Sequence, residues 1–179
     1  ALTIEDTELP QPFGTLGKTR LIPVEEGVGK LRAALAGRTD PNLVIAGRTG
    51  AMAITGAEDT IARAKAYEAV GVDAVFLSGV TTGDQLSAVA SELGIPILLG
   101  GSGPGLSDLD FLAANGVRVC LQGHQPFMAA VQAVHAALKA LRDGTPPKEL
   151  ENIASPELMK QVTRDADYRR WMKEFLGGE

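Results

Sequence analysis

The sequence predicts an α/β protein on a parallel sheet, and three observations carry that prediction. First, the stretches "AKAYEAVGVDAVFLSG", "LSAVASELGIPILLGG" and "LDFLAANGVRVCLQG" repeat one plan. A helical pattern stops at a glycine (Gly71, Gly94, Gly116), and an apolar run follows that ends at another (Gly79, Gly100, Gly123). A glycine past a helix end closes it by adopting the left-handed conformation. Second, Thr55-Gly56-Ala57-Glu58 and Thr82-Gly83-Asp84-Gln85 have the spacing of a capping box, in which two orphan amides are satisfied reciprocally. Third, the apolar runs are short and nearly continuous, as in strands covered on both faces.

Taken in order, strands are expected at Leu2 to Ile4, Leu43 to Ala46, Ala74 to Leu77, Ile95 to Leu99 and Val117 to Leu121. Helices are expected near Val24 to Ala36, Ala57 to Val70, Gly83 to Leu93, Ser107 to Ala114 and Pro126 to Arg142. In the third of these, Leu86, Val89, Ala90 and Leu93 recur at helical spacing and make one apolar face. Past "DGTPP" a polar helical tail is expected from Pro156 to Leu176, with Trp171 and Phe175 covering apolar surface. Five β/α units do not close an eight-stranded barrel, which takes about 250 residues. An open doubly wound sheet can use five, so periodicity leaves both architectures open. The text opens on Ala1 and runs straight into a strand-like "ALTI", which favours an incomplete barrel. The expected division is a barrel portion over 1–145 and a helical tail over 146–179.

Composition narrows the function. With 179 residues and 45% hydrophobic content the chain can bury a real core. A net charge of −5 and the lack of a basic stripe argue against a nucleic-acid partner. One cysteine rules out an internal disulfide framework and fits a reducing cytoplasm. No apolar run reaches the roughly 20 residues that cross a bilayer, so no membrane partner is expected.

In either architecture, ligands bind at the carboxyl ends of parallel strands. Those ends carry Glu5-Asp6, Gly47-Arg48-Thr49, Ser78-Gly79, Gly100-Gly101-Ser102 and Gln122-Gly123-His124. Arg48 offers a planar fork of donors for a carboxylate or phosphate, against the alternative of a rim salt bridge to Glu5 or Asp6. Glu5 and Asp6 are hard oxygen donors suited to magnesium, or simply turn acids. His124 can act as donor, acid or base near neutral pH. His135 borders an apolar helix face and reads as a packed residue, and Cys120, inside a strand, as an inert small hydrophobe. "GGSGPG" at 100–105 lacks a full phosphate-binding fingerprint and reads as a flexible connection.

The ordered motifs "LTIEDTELP", "VEEGVGKLRAAL", "DPNLVIAGRTGA", "ARAKAYEAVGVDAVFLSG" and "VCLQGHQPF" resemble the isocitrate lyase and phosphoenolpyruvate mutase superfamily, nearest to its bacterial oxaloacetate decarboxylase branch. The resemblance runs from Leu2 to about Gly144. It implies a (β/α)8 barrel of which this chain is the carboxyl-terminal portion, about strands four to eight plus terminal helices. It implies magnesium, or manganese, at the mouth and a small α-keto acid as substrate. It places Arg48 on the substrate carboxylate, His124 against the substrate, and Glu5 on the metal through water. The direct metal ligand is expected upstream, so the isolated chain is expected to show little activity. The lyase cysteine loop is absent, since that region reads Pro10-Gln11-Pro12-Phe13-Gly14. Decarboxylation of oxaloacetate to pyruvate through an enolate is therefore the implied reaction, ahead of methylisocitrate or phosphonopyruvate chemistry and of an inactive binding module. A cytoplasmic homodimer or homotetramer with an exchanged tail helix is the implied assembly.

Overall fold

Five parallel strands lie side by side in chain order: β1 (Leu2–Glu5), β2 (Ile45–Thr49), β3 (Ala74–Leu77), β4 (Ile97–Leu99) and β5 (Val117–Cys120). The computed structural model describes residues 1–10, 13–14, 18–101, 103 and 105–177. These strands belong to the first of two compact units, Ala1–Gly123; the second is His124–Glu179. Between the strands run α1 (Val24–Gly37), α2 (Ala51–Ile54), α3 (Ala57–Val70), α4 (Gly83–Ala90) and α5 (Leu109–Ala114). Helix α1 packs on α3 and α3 on α4, so these crossover helices form one layer. A doubly wound sheet reverses its strand order at a switch point. This sheet does not, and consecutive parallel strands with adjacent crossover helices make an arc of a β/α barrel.

Alternation along the strands divides the sheet into two faces. Ile45, Val75, Leu77, Ile97 and Leu99 enter the core formed with Leu31, Ala64, Tyr67, Leu86, Val89 and Leu112. Each large aliphatic side chain buried there contributes roughly 1.5–3 kcal/mol. The register Glu5↔Arg48, Arg48↔Phe76, Phe76↔Leu98, Leu98↔Val119 defines the other face. Tyr67 of α3 fits so closely that a Cβ on Gly27 would lie 2.7 Å from its hydroxyl, and one on Gly47 2.9 Å from its ring. Side-chain-free positions on α1 and β2 therefore let the helix layer seat on the sheet.

Several boundaries differ from the sequence expectation. Strand β2 runs on through Gly47, Arg48 and Thr49 instead of stopping at Ala46, because β1 pairs with Gly47 and Arg48 and β3 with all three. Strand β4 starts at Ile97, since Pro96 has no amide to donate to the ladder. The four-residue α2 is too short to leave a periodic signal. The Thr82 box forms as expected, with Gln85 N–H donating to Thr82 Oγ1 at 3.3 Å and Thr82 N–H to Gln85 Oε1 at 3.2 Å. The Thr55 box does not form. Gly56 caps α3 with φ +94°, and Thr55 Oγ1 instead donates to Asp59 Oδ2 at 2.6 Å. Gly71 and Gly116 take positive φ as expected. Gly94 does not, because α4 has already ended at Ala90.

The second unit contains α6 (Gln125–Arg142), a 3-10 turn (Pro147–Glu149), α7 (Pro156–Val162) and α8 (Asp165–Leu176). The helical tail expected over Pro156 to Leu176 is formed by α7 and α8, which are parted at Arg164, whose φ is +57°. Phe175 is exposed, and Trp171 packs within α8 and its cap, under the guanidinium groups of Arg164 and Arg170 at 5.2 and 5.8 Å. His135 is exposed on α6 rather than packed.

Burial alone would raise the pKa of Asp59, but hydrogen bonds from Thr55 and Arg63 and the charge of Arg63 outweigh it and hold the carboxyl below its ordinary 3.8. A depressed folded-state pKa contributes stability that is present above the unfolded value and lost as pH falls through the folded one. Asp59→Asn is expected to flatten the loss of stability below about pH 4, measured as urea midpoints between pH 5 and 2.5; an unchanged slope would refute this assignment.

Candidate functional site

Consecutive residues at the end of β1 point in opposite directions, and this separates the two acids that the sequence places together. Asp6 turns into the helix layer and is 1% exposed. Its Oδ2 accepts from Tyr67 Oη at 2.9 Å and from Arg63 Nη1 at 3.2 Å. Burial raises the Tyr67 phenol pKa well above its ordinary value; the Asp6 charge and hydrogen bond add to this, and Arg63 opposes it. Asp6 is thus a structural acid, and Oδ1 is the one buried side-chain polar atom among the described residues without a hydrogen-bond partner.

Glu5 turns to the opposite face, where its register partner is Arg48. Arg48 Nη1 lies 3.4 Å from Glu5 Oε2, and both side chains are about a third exposed (37% and 31%). Thr7 Oγ1 donates to Glu5 Oε1. Arg48 also stands over the Phe76 ring, 5.2 Å from its centroid. Among the described residues its guanidinium donates no hydrogen bond to the protein, and Arg48 lines the cleft. A single exposed contact at this distance is a weak ion pair. The rim salt bridge and the anion-binding fork, alternatives in the sequence, are therefore compatible.

A cleft of about 380 Å³ opens at this point, lined by Glu5, Thr7, Thr19, Arg48, Ser78 and Gly79 among others. Ser78 and Gly79 follow β3, where Ser78 N–H donates to Thr49 O at 3.0 Å. Thr7 was not singled out by sequence, although its i+2 spacing from Glu5 places it on the same face. Thr19 had no such signal. Ser102 lies outside the described residues, as do Gln11 and Pro12 of the Pro10–Gly14 stretch and Pro104 of the 100–105 stretch. Cys120 closes β5 half-buried and unpaired, consistent with a packing role.

His124 belongs to the second unit, where it is exposed and precedes α6. Within the first unit the structure brings Glu5 and Arg48 together. Among the described residues no group of three or more His, Cys, Asp or Glu side chains is arranged to hold a metal ion. Glu5 supplies a single carboxylate, in contact with Arg48 and Thr7.

The arc of consecutive parallel strands with crossover helices on one layer defines part of a β/α barrel. The chain belongs to the phosphoenolpyruvate phosphomutase family, whose model matches residues 1–142. It is 54% identical over 176 residues to an oxaloacetate decarboxylase of Bradyrhizobium sp. (strain ORS 278), covering 98% of this chain and 61% of that one. Oxaloacetate acetylhydrolase in complex with 3,3-difluorooxalacetate is similar in structure, with a TM-score of 0.71, 26% identity, and coverage of 99% of this chain and 61% of that one. 2,3-Dimethylmalate lyase, a phosphoenolpyruvate mutase/isocitrate lyase superfamily member, shares the fold with a TM-score of 0.71 at 23% identity, over 96% of this chain and 60% of that one. The chain spans about 60% of the length of the curated relatives it matches.

Gly79 shapes the cleft wall. Its φ is +81°, and a Cβ there would lie 2.7 Å from Ala53 Cβ and 3.2 Å from Ala53 N. Gly79→Ala is expected to cost about 1–3 kcal/mol, read by urea unfolding, with Ala53→Gly recovering only the steric share. A neutral Gly79→Ala would show that α2 moves freely.

Proposed function

We propose that this protein decarboxylates oxaloacetate to pyruvate and carbon dioxide in the cytoplasm. The observation that carries the proposal is Arg48, placed at the strand end in the lining of a cleft of about 380 Å³ and donating no hydrogen bond to the described residues. Close relatives named oxaloacetate decarboxylase support it. Arg48 binds and orients the carboxylate next to the keto group through paired N–H···O contacts. The bond from C3 to the distal carboxylate breaks, its electron pair becomes the C2–C3 double bond of an enolate, and carbon dioxide leaves. A proton from water or a neighbouring acid then adds at C3 to give pyruvate. Glu5 is the residue of this chain that would hold magnesium or manganese through water. Such a cation, when bound, supplies Lewis-acid stabilisation of the developing oxyanion. His124 is assigned a substrate contact on its motif alone.

The chain carries no helix long and apolar enough to cross a membrane among the described residues. Homodimeric or homotetrameric assembly, with residues 146–179 exchanged between barrels, is part of the same proposal and is tested by mass in solution.

The deciding experiment uses a form extended to the length of the relatives and measures pyruvate release from oxaloacetate with magnesium, beside methylisocitrate and phosphonopyruvate. Turnover of either of the latter without turnover of oxaloacetate would replace the proposal. Arg48→Lys keeps the charge but loses the planar fork. It is expected to lower kcat/KM on the order of 10- to 100-fold, and an unchanged value would remove Arg48 from the site.

A further inference from the structure

We infer that Phe76 is a positioning residue for Arg48, holding the guanidinium through its flat face so that the in-plane N–H groups stay free for an anionic ligand. The inference rests on the proposed function only for what Arg48 grips. Arginine is a long, rotamer-rich side chain, and its pair with Glu5 is a single part-exposed contact at 3.4 Å. Such a contact is too weak and too well solvated to fix the plane of the fork. A stronger anionic or carbonyl anchor would fix it, but would occupy the same N–H groups that a substrate carboxylate needs.

An aromatic face escapes that conflict. It attracts the cation from above the plane and uses none of the donors. Phe76 is the register partner of Arg48 on β3, with the guanidinium carbon 5.2 Å from its centroid. The ring itself is held: Phe76 is 8% exposed. It lies where the next strand end carries no side chain, since a Cβ on Gly100 would come within 3.3 Å of Phe76 Cζ and 3.2 Å of Leu77 O. A glycine on one strand thus makes room for the ring, and the ring on the second strand orients the arginine of the third. Preorganisation of this kind improves ligand capture by removing the ordering cost from the binding step.

The test compares wild type, Phe76→Leu and Phe76→Tyr in a form extended to the length of the relatives, which brings the metal ligand expected upstream. The first readout is the NMR order parameter of the Arg48 Nε–Hε group, and the second is calorimetric titration with oxalate in the presence of magnesium. Phe76→Leu is expected to mobilise Arg48 and weaken oxalate binding by about three- to tenfold, with Phe76→Tyr retaining both properties. A purely structural role would lower the stability of Phe76→Leu while leaving Arg48 order and oxalate affinity unchanged, and that result overturns the inference. If wild type itself binds no oxalate, the substrate role of Arg48 fails, whereas the order parameters still decide whether Phe76 positions it. Should Phe76→Leu not fold, Phe76→Met fills the slot with a flexible apolar chain and carries the same readouts.

Discussion

The buried carboxylate of Asp6 ties the first unit together. Removing a carboxylate from water is costly unless its charge and lone pairs are met, and both groups that meet it come from one helix. Arg63 and Tyr67 are one turn apart on α3, so the helix presents them together. Arg63 also donates to Ile22 O at 3.0 Å and to Asp59 Oδ2 at 2.9 Å. The backbone of Asp6 receives Ile22 N–H at 2.8 Å and gives its own N–H to Arg48 O at 3.2 Å. One side chain and its peptide groups thereby fix the ends of β1 and β2, the segment returning at Ile22, and α3.

That constraint has a geometric consequence at the mouth. With Asp6 committed to the helix layer, strand alternation leaves Glu5 on the opposite face. The parallel register then places Arg48 beside Glu5 and Phe76 beside Arg48. The two faces of one strand end divide the work. The helix side meets one oxygen of a buried carboxylate with Arg63 and Tyr67, and the inner side keeps an arginine and a glutamate only loosely paired.

Loose pairing is what makes the inner side chemically useful. A guanidinium fully engaged by the protein has nothing to offer an anion, and one left in bulk water has no fixed direction. Here the glutamate balances the charge, the ring restrains the plane, and Gly79 keeps the wall beside α2 close. The result is a small cleft whose most directional feature is a set of donors suited to a carboxylate.

Sequence by itself determined where most elements lie and which motifs sit at strand ends. Helix α3 and strand β3 were legible to the residue, because Gly71 closes the helix and an unbroken apolar run follows it. The motifs that carry Glu5 and Arg48 were legible as strand ends, and the two residues are register partners there. Local signals failed where two structures competed for the same residues: Gly56 displaced Thr55 as the cap, and α4 ended before reaching Gly94. Only the tertiary structure decided that Glu5 and Asp6 part company, that Arg48 lies within a strand instead of beyond it, and that Phe76 is its neighbour. Those facts depend on register between strands distant in the chain. A side chain's face is set by period-two alternation, whereas its companions on that face are set by pairing that no local stretch encodes.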